Sequence, residues 1–258
     1  MIGYNIYGGG IGNVAGGNDG NSAGQPYATV GGGFNNLAIW SASTVGGGYS
    51  NSASLYYATV SGGYSNSASG SSSTVGGGDS NSAGAYRAKV GGGFGNSASG
   101  GYATVPGGAY AVAVHFGEMA YANGRFAETG DAQTSLFVLR QQTGDATMTE
   151  MFLDGSAERI TLANNRVMTF DILVVANHIY QGGSLAGYQV TGVIKNINGT
   201  TSLVGTPIVT TLAENVSGWD VQVSADNALD ALVVKVQGSA GTTVRWVASV
   251  RTIEVGRL

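Results

Sequence analysis

The segment Ser-Thr-Val-Gly-Gly-Gly-Tyr-Ser-Asn-Ser-Ala-Ser at residues 43–54 recurs, with small variations, along the first part of the chain. Its valine returns every fifteen residues, at Val30, Val45, Val60, Val75, Val90 and Val105. Its asparagine returns at the same spacing from Asn21 to Asn96, and its alanine from Ala23 to Ala98, without insertion or deletion. Because self-similarity at a fixed period indicates a repeat architecture, this segment decides the fold of the region that contains it.

Each period holds two short apolar alternations, separated by a glycine triplet and an Asn-Ser-Ala stretch. That pattern is too short and too rich in glycine for a pair of helices, and it suits one coil of a parallel β-solenoid. We expect glycine to supply positive φ at the corners and asparagine to tolerate the left-handed conformation there. The six valines then form the core column, repeated at the strand spacing of about 4.8 Å.

A coil of this length encloses little core, and a small core needs oligomerisation or another staple. Residues 1–115 carry four charged side chains, Asp19, Asp79, Arg87 and Lys89, whereas a fully solvated rod is expected to carry more. The sequence therefore predicts a homotrimer in which the coils of three chains pack together. A monomeric solenoid capped at both ends is the alternative.

The repeats resemble the head repeats of trimeric autotransporter adhesins, which also occur in bacteriophage tail fibres, and residues 43–54 are the clearest match. The resemblance covers about residues 13–116. It implies a left-handed parallel β-roll, three chains packed side by side, and binding to host surfaces. The family repeat is slightly shorter and often has Ile-Gly where this chain has Val-Gly-Gly-Gly. Handedness therefore rests on the resemblance and not on the spacing.

Aromatic residues occupy most of the column that lies four residues after each valine, and we call Phe34, Tyr49, Tyr64 and Phe94 the aromatic ladder. One interpretation is a strip on which sugar rings stack. The other is a row of rings that stack on one another and fill a corner of the coil. The spacing favours the second interpretation, because rings one strand apart already cover each other's faces.

The composition changes near His115, after which glycine triplets stop and 22 of the 26 charged residues are found. We expect a solenoid domain at 1–116, a transition at 117–134 and a separate domain at 135–258. In the transition, Glu118, Arg125 and Glu128 are expected to form solvated or inter-chain ion pairs.

The last domain alternates apolar and polar residues with a period of two, as from Met168 to Val174, and turn signals such as Asp154-Gly155 separate the runs. This predicts about eight to ten strands in an antiparallel β-sandwich or jelly roll, and makes the whole chain all-β. The run Leu173-Val174-Val175 is apolar on both faces, which indicates a subunit interface.

Composition excludes several functions. The net charge is −4 with no run of Lys or Arg, which argues against nucleic acid, and no apolar run is long enough for a membrane span. The chain has no cysteine and two histidines, His115 and His178, so neither a metal site nor a cofactor is expected. Asp19 and Asp79 lie four periods apart, too far to act on one glycosidic bond.

Other catalytic patterns are missing, and we expect no catalytic residues. The sequence holds neither a nucleophile elbow nor a phosphate-binding loop. Asp171 interrupts an apolar strand and is expected to pair with Arg166 or Arg245.

The function that these features favour is that of a trimeric tail-fibre or adhesin segment on a virion, attached to neighbouring tail components. It would bind host-cell surface receptors, a glycan or a protein, through several weak contacts at once. The residues expected to contact the receptor lie on loops of the last domain: Tyr180, Gln181, Tyr188, Asn196 and Asn198. Three alternatives stay open, namely a bacterial cell-surface autotransporter head, a glycan depolymerase with an inter-chain site, and a purely structural spacer.

Overall fold

The computed structural model describes residues 12–17, 20–180 and 183–256, and their regular secondary structure is entirely β. The chain forms two compact units. Unit 1 is Met1–Val114 with Glu118–Arg125, and unit 2 is His115–Gly117 with Phe126–Leu258. The expected all-β class is confirmed.

Unit 1 is built from two-residue strands and one longer final strand. They are β1 (Val14–Ala15), β2 (Ser22–Ala23), β3 (Thr29–Val30), β4 (Leu37–Ala38), β5 (Thr44–Val45), β6 (Ser52–Ala53), β7 (Thr59–Val60), β8 (Ser67–Ala68), β9 (Thr74–Val75), β10 (Ser82–Ala83), β11 (Lys89–Val90), β12 (Ser97–Ala98), β13 (Thr104–Val105), β14 (Gly108–Ala109), β15 (Val112–Ala113) and β16 (Met119–Asn123).

These strands pair in parallel, and from β1 to β13 each residue lies beside its counterpart fifteen positions on, as Val45 beside Val60. The pairing of β14 with β16 is offset by fourteen. The odd-numbered strands from β1 to β13 form one ladder, which β16 continues. The even-numbered strands from β2 to β12 form a second ladder, which β15 continues. Single bridges in the column of the aromatic ladder, such as Tyr49 to Tyr64, form a third line of contact. The parallel β-solenoid with one coil per fifteen residues is confirmed.

Small side chains fill the coil. The six valines are 0 or 1% exposed, and the alanine column from Ala23 to Ala98 is fully buried. The residue before each valine, which is threonine except for Lys89, points outward, because successive residues of a strand face opposite sides. The core therefore depends on one identical small residue at each position of every coil.

A column of buried asparagines supplies the polar half of this interior. The backbone N–H of Asn66 donates to Asn51 Oδ1 at 3.0 Å. Asn66 Nδ2 donates to the carbonyl oxygens of Gly62 and Gly78, at 3.0 and 2.8 Å. The same three bonds recur at Asn51, Asn81 and Asn96. Each asparagine thus links its coil to both neighbouring coils and adds hydrogen bonds to two carbonyl groups of the glycine turns.

The expectation that this asparagine column takes the left-handed conformation was wrong. The residue before it does so, as Ser50 with φ 55° and Ser65 with φ 53°. The last glycine of each triplet also has positive φ, and a Cβ on Gly63 would lie 2.2 Å from the Gly78 carbonyl oxygen. Glycine is required there for close backbone approach as well as for φ.

Unit 2 contains ten strands in its described residues. They are β17 (Ala132–Thr143), β18 (Thr149–Glu150), β19 (Ile160–Thr161), β20 (Arg166–His178), β21 (Leu185–Ile197), β22 (Thr200–Leu203), β23 (Ile208–Glu214), β24 (Asp220–Asp226), β25 (Ala231–Gln237) and β26 (Val244–Gly256).

The strands of unit 2 form two antiparallel sheets. The larger has the order β17-β26-β20-β21, and both β22 and β23 pair with β21. In the smaller, β25 pairs with β18, β19 and β24. One apolar core contains side chains of both sheets, among them Phe170 and Val234. Trp219 and Trp246 lie in this core with ring centroids 5.5 Å apart. The sandwich or jelly-roll arrangement, the left hand of the solenoid and the trimer stay predictions.

Two residues of the expected transition belong to unit 1 and differ from their expected roles. Glu118 is 2% exposed and its carboxylate accepts a hydrogen bond from the backbone N–H of Val114 at 2.8 Å, so it is not a solvated group. The guanidinium of Arg125 lies 4.0 Å from the centre of the Tyr110 ring. Both side chains stabilise the last coils within one chain.

The remaining transition residues form a polar cluster in unit 2. The carboxylate of Asp131 accepts the backbone N–H groups of Phe126, Ala127 and Glu128 at 2.7 to 2.8 Å. Glu128, which is largely exposed, forms an ion pair with Arg166 at 3.7 Å. Burial alone would raise the pKa of Asp131, but these backbone hydrogen bonds and Arg166 lower it.

Candidate receptor-binding surfaces

The aromatic ladder lies on the outside of the coil, with its four rings 43 to 52% exposed. Phe34 and Tyr49 stack at 5.4 Å and 16° between planes, and Tyr49 and Tyr64 at 5.2 Å and 7°. Asp79 interrupts the column, and Phe94 meets Tyr110 edge-on at 5.1 Å. The stacked rings cover one another's faces, as the second interpretation requires, but they do so on the surface and not inside a corner.

A second set of aromatic residues lies on the turn between each Ser-Ala strand and the following Thr-Val strand. We call it the corner row, and its exposed members are Tyr27, Trp40, Tyr56, Tyr57, Tyr86 and Tyr102. The sequence analysis missed it, because its residues vary from coil to coil while the inner columns are constant. Writing the chain in lines of fifteen residues would have revealed it.

The predicted receptor residues of unit 2 are not all on its surface. Tyr180 is 81% exposed, and Asn198 is exposed in the turn between β21 and β22. Gln181 lies outside the described residues. The expected exposure of Tyr188 and Asn196 was wrong: they are 2% and 1% exposed.

Both buried residues lie on β21, on its inward-facing side. Burial raises the pKa of Tyr188, and Asn196 Nδ2 donates to the Leu162 carbonyl oxygen at 3.0 Å. Neither side chain of the single chain can contact a receptor.

One exposed face of the larger sheet of unit 2 is rich in aliphatic side chains, with Asp171, Ser249 and Arg251 between them. Register places Val138 and Leu173 on either side of Ser249, and Val175 beside Val247. All four aliphatic side chains are exposed, as are Leu136 and Ile253 on the same strands. We call these six residues the apolar sheet face. A solvated sheet normally alternates with polar residues outward, so a face of this kind indicates an interface.

A cleft beside the apolar sheet face holds the carboxylate that interrupts β20. Thr169, Asp171, Thr191, Arg251 and Ile253 line it. Asp171 lies opposite Arg251 across the sheet and accepts a hydrogen bond from Gln189 Nε2 at 2.8 Å. The expected partners Arg166 and Arg245 were wrong, because register places Arg166 opposite Gly256 and Arg245 opposite Asn177.

Asp145 and Asp154, whose pKa values are lowered by hydrogen bonds, lie in turns. Asp154 accepts the backbone N–H groups of Ala157, Glu158 and Ser156 and the Ser156 hydroxyl, and these bonds lower its pKa. Asp19 lies outside the described residues. In the described part of the chain, no three His, Cys, Asp or Glu side chains come together as a metal site would require. The same residues contain no helix of the length and hydrophobicity needed to cross a membrane.

No known protein family matches the sequence. No curated protein matches it either. Among solved structures, tailspike protein gp49 of Acinetobacter baumannii bacteriophage Fri1, a capsular polysaccharide depolymerase, is similar with a TM-score of 0.28 and 10% identity, over 89% of this chain and 40% of that one.

A second similar structure is the tailspike protein of Acinetobacter baumannii phage AM24, with a TM-score of 0.26 and 12% identity, over 97% of this chain and 55% of that one. This chain thus spans about half the length of these tailspikes or less. At such TM-scores the likeness establishes neither a shared fold nor a shared activity.

Proposed function

We propose that the chain is a segment of a bacteriophage tail fibre or tailspike that assembles as a homotrimer and attaches a virion to host-cell glycans. Residues 1–116 would form a left-handed solenoid shaft, 117–134 a neck, and 135–258 a sandwich-like tip. Neighbouring fibre or tail components would hold it on the virion. The repeat sequence at 43–54 supports this proposal through its resemblance to adhesin and tail-fibre repeats.

The observation that carries the proposal is the apolar sheet face of unit 2. Exposed aliphatic side chains lie on three neighbouring strands, as at Val138, Leu173 and Val247, and their exposure to water is unfavourable. Packing against other copies of the chain would bury them. A trimer presents each receptor contact three times, so weak binding to a repeated glycan becomes strong by avidity. Tyr180 and Asn198 are the exposed residues that we assign to receptor contact on this unit.

Attachment is tested by measuring adsorption of the purified chain to a panel of encapsulated bacteria. Tyr180→Ala with Asn198→Ala should weaken adsorption about tenfold or more without changing the mass of the assembly. Equal adsorption by the wild type and this variant would remove these two residues from the receptor site. Failure of the wild type to adsorb to any strain would contradict attachment itself.

A depolymerase with an inter-chain site is the second candidate, and the Asp171 cleft is the observation that favours it. Asp171 lies beside the apolar sheet face, so a trimer would bring carboxylates of different chains toward the shared interface. Incubation with capsular polysaccharide should then release new reducing ends, and Asp171→Asn should abolish the release. Polysaccharide that is bound but stays intact would leave attachment as the function.

A further inference from the structure

We propose that the corner row of unit 1 binds an acidic polysaccharide, and that Tyr86, Arg87 and Tyr102 form the main contact. This inference rests on the proposed attachment to host glycans and deepens it, since it names a second site and the charge of the ligand. The site lies on the repeat unit, on a different column of the coil from the aromatic ladder.

The three side chains form a compact exposed cluster on two neighbouring coils. The rings of Tyr86 and Tyr102 meet edge to face, with centroids 5.4 Å apart and planes at 88°. The guanidinium carbon of Arg87 lies 5.0 Å from the centre of the Tyr86 ring and 5.8 Å from that of Tyr102. The Tyr102 N–H donates to the Tyr86 carbonyl oxygen at 2.9 Å, so the turns that carry the cluster are fixed to each other.

The backbone at this position indicates that the side chains serve something other than folding. Arg87 and Tyr102 have φ of 54° and 60°, in the left-handed region that bulky residues rarely adopt. Tyr57 has the same conformation, with φ 58°. Other coils place Ala42 or Ser72 at this position with the same φ. The coil therefore forms without a large side chain here, and strained positions with exposed functional groups are typical of binding sites.

The arrangement of the rings suits a sugar. The C–H groups on one face of a pyranose ring stack on the face of an aromatic ring, and tyrosine and tryptophan offer that surface at little cost in side-chain entropy. In the aromatic ladder the faces of Tyr49 and Tyr64 are covered by parallel stacking at 7°. In the pair at 88° only one ring turns its face to the other, and Tyr86 and Tyr102 stay 46% and 44% exposed.

Charge selects an acidic ligand. Between residues 20 and 114 the only basic residues are Arg87 and Lys89, and both are exposed. The only acidic residue in the same range, Asp79, lies in the column of the aromatic ladder. A guanidinium is suited to bind the carboxylate of a uronic acid or similar sugar by two parallel hydrogen bonds.

The corner row continues along the coils, which favours a polymer over a single sugar. Trp40 and Tyr56 form a similar pair, with centroids 4.9 Å apart and planes at 50°. The coil between the two clusters carries Gly70, Ser71 and Ser72 in place of rings. An extended chain lying across successive coils would meet both clusters, and the two contacts would reinforce each other.

The test compares the whole chain with variants whose corner residues are copied from its own coils. Tyr86→Ser with Arg87→Ser reproduces the Ser71-Ser72 turn. Arg87→Ser with Lys89→Thr removes the charges, and it copies the threonine that precedes the valine in the other valine coils. The probes are purified acidic capsular polysaccharides and their carboxyl-reduced forms, with binding followed by biolayer interferometry. Tyr49→Ala, which copies Ala109 into the aromatic ladder, is the matched control.

We expect Tyr86→Ser with Arg87→Ser to bind acidic polysaccharide at least tenfold more weakly than wild type, and Arg87→Ser with Lys89→Thr to lose the preference for the acidic over the reduced form. Tyr49→Ala should bind as wild type does. Unchanged binding by Tyr86→Ser with Arg87→Ser would overturn the inference, and so would a change in the mass of its assembly, which would identify the corner as a subunit contact.

The two proposals fail differently. If Tyr180→Ala loses polysaccharide binding while Tyr86→Ser with Arg87→Ser binds as wild type does, the corner site is overturned and attachment through unit 2 stays intact. A wild-type chain that binds no polysaccharide of the panel would overturn both.

Discussion

The two units place polar and apolar groups in opposite ways. In unit 1 the interior is partly polar, since a column of asparagines such as Asn66 runs through it, and the exterior carries aromatic rings. In unit 2 the interior is an apolar core around Trp246, and the exterior includes an aliphatic sheet face. Buried amides fix the register of thin coils, whereas a flat aliphatic face fits another flat surface. In the functions proposed above, unit 1 supplies a stiff support and the corner-row contact, and unit 2 supplies the assembly face and the contact at Tyr180 and Asn198.

The largest effect is expected at the asparagine column. Asn66→Asp replaces two N–H donors by an acceptor and places a charge beside the Gly62 and Gly78 carbonyl oxygens. An uncompensated buried charge should lower the free energy of unfolding by about 3–5 kcal/mol, measured by urea denaturation.

The matched control for the asparagine column is Ser65→Asn, which copies Asn35 at a surface position of the same φ. It should stay within about 0.5 kcal/mol of wild type. Equal stability of Asn66→Asp and Ser65→Asn would mean that the column is not structural.

The next effect tests assembly through the apolar sheet face. Leu173→Lys with Val175→Lys places charges at the centre of the face, so we expect the dissociation constant of the assembly to rise about 100-fold or more. Gln222→Lys, on the exposed side of the smaller sheet, is the control and should leave the assembly intact. Analytical ultracentrifugation separates the outcomes, and a doubly substituted chain that sediments as wild type would contradict the assignment.

A smaller effect is expected in the aromatic ladder. Tyr49 stacks between Phe34 and Tyr64, so Tyr49→Ala should lower the free energy of unfolding by about 1–2 kcal/mol. Tyr180→Ala, at an exposed position of unit 2, should change it by less than about 0.5 kcal/mol. Thermal denaturation of both variants measures the contrast, and a neutral Tyr49→Ala would show that the ladder is not a structural element.

The smallest effect concerns acid stability in unit 2. The pKa of Asp131 is lower in the folded chain than its usual value of about 4, so its carboxylate adds stability above that pH. The added stability is lost as the pH falls from there through the lower pKa of the folded state. Asp131→Asn should cost about 1 kcal/mol at neutral pH and reduce the fall in stability between about pH 5 and pH 2. The free energy of unfolding of both proteins is measured at neutral and at acid pH. An identical pH dependence in the wild type and in Asp131→Asn would refute the role of this carboxylate.

The sequence predicted the solenoid well because translational symmetry places each residue beside its copy in the next coil. Val45 beside Val60 follows directly from the period. The role of the asparagines did not follow, because a polar residue in a turn and one in a buried column give the same pattern. Only the two carbonyl oxygens near Asn66 Nδ2 distinguish them.

The receptor residues were harder to predict because burial in unit 2 depends on strand phase. Tyr188 and Asn196 share their phase on β21 with Val190 and Ile194, which are buried. That alternation was visible in the sequence and places all four side chains inward. Tyr180 and Asn198 lie in loops, where no periodicity constrains the exposure.

The most direct test of the account is the mass of the whole wild-type chain in solution, measured by multi-angle light scattering at micromolar concentration. We predict a mass three times that of one chain, because three chains together would cover the apolar sheet face around Leu173 and Val247. A mass equal to one chain would leave that face in water and would contradict both the trimer and the avidity that depends on it.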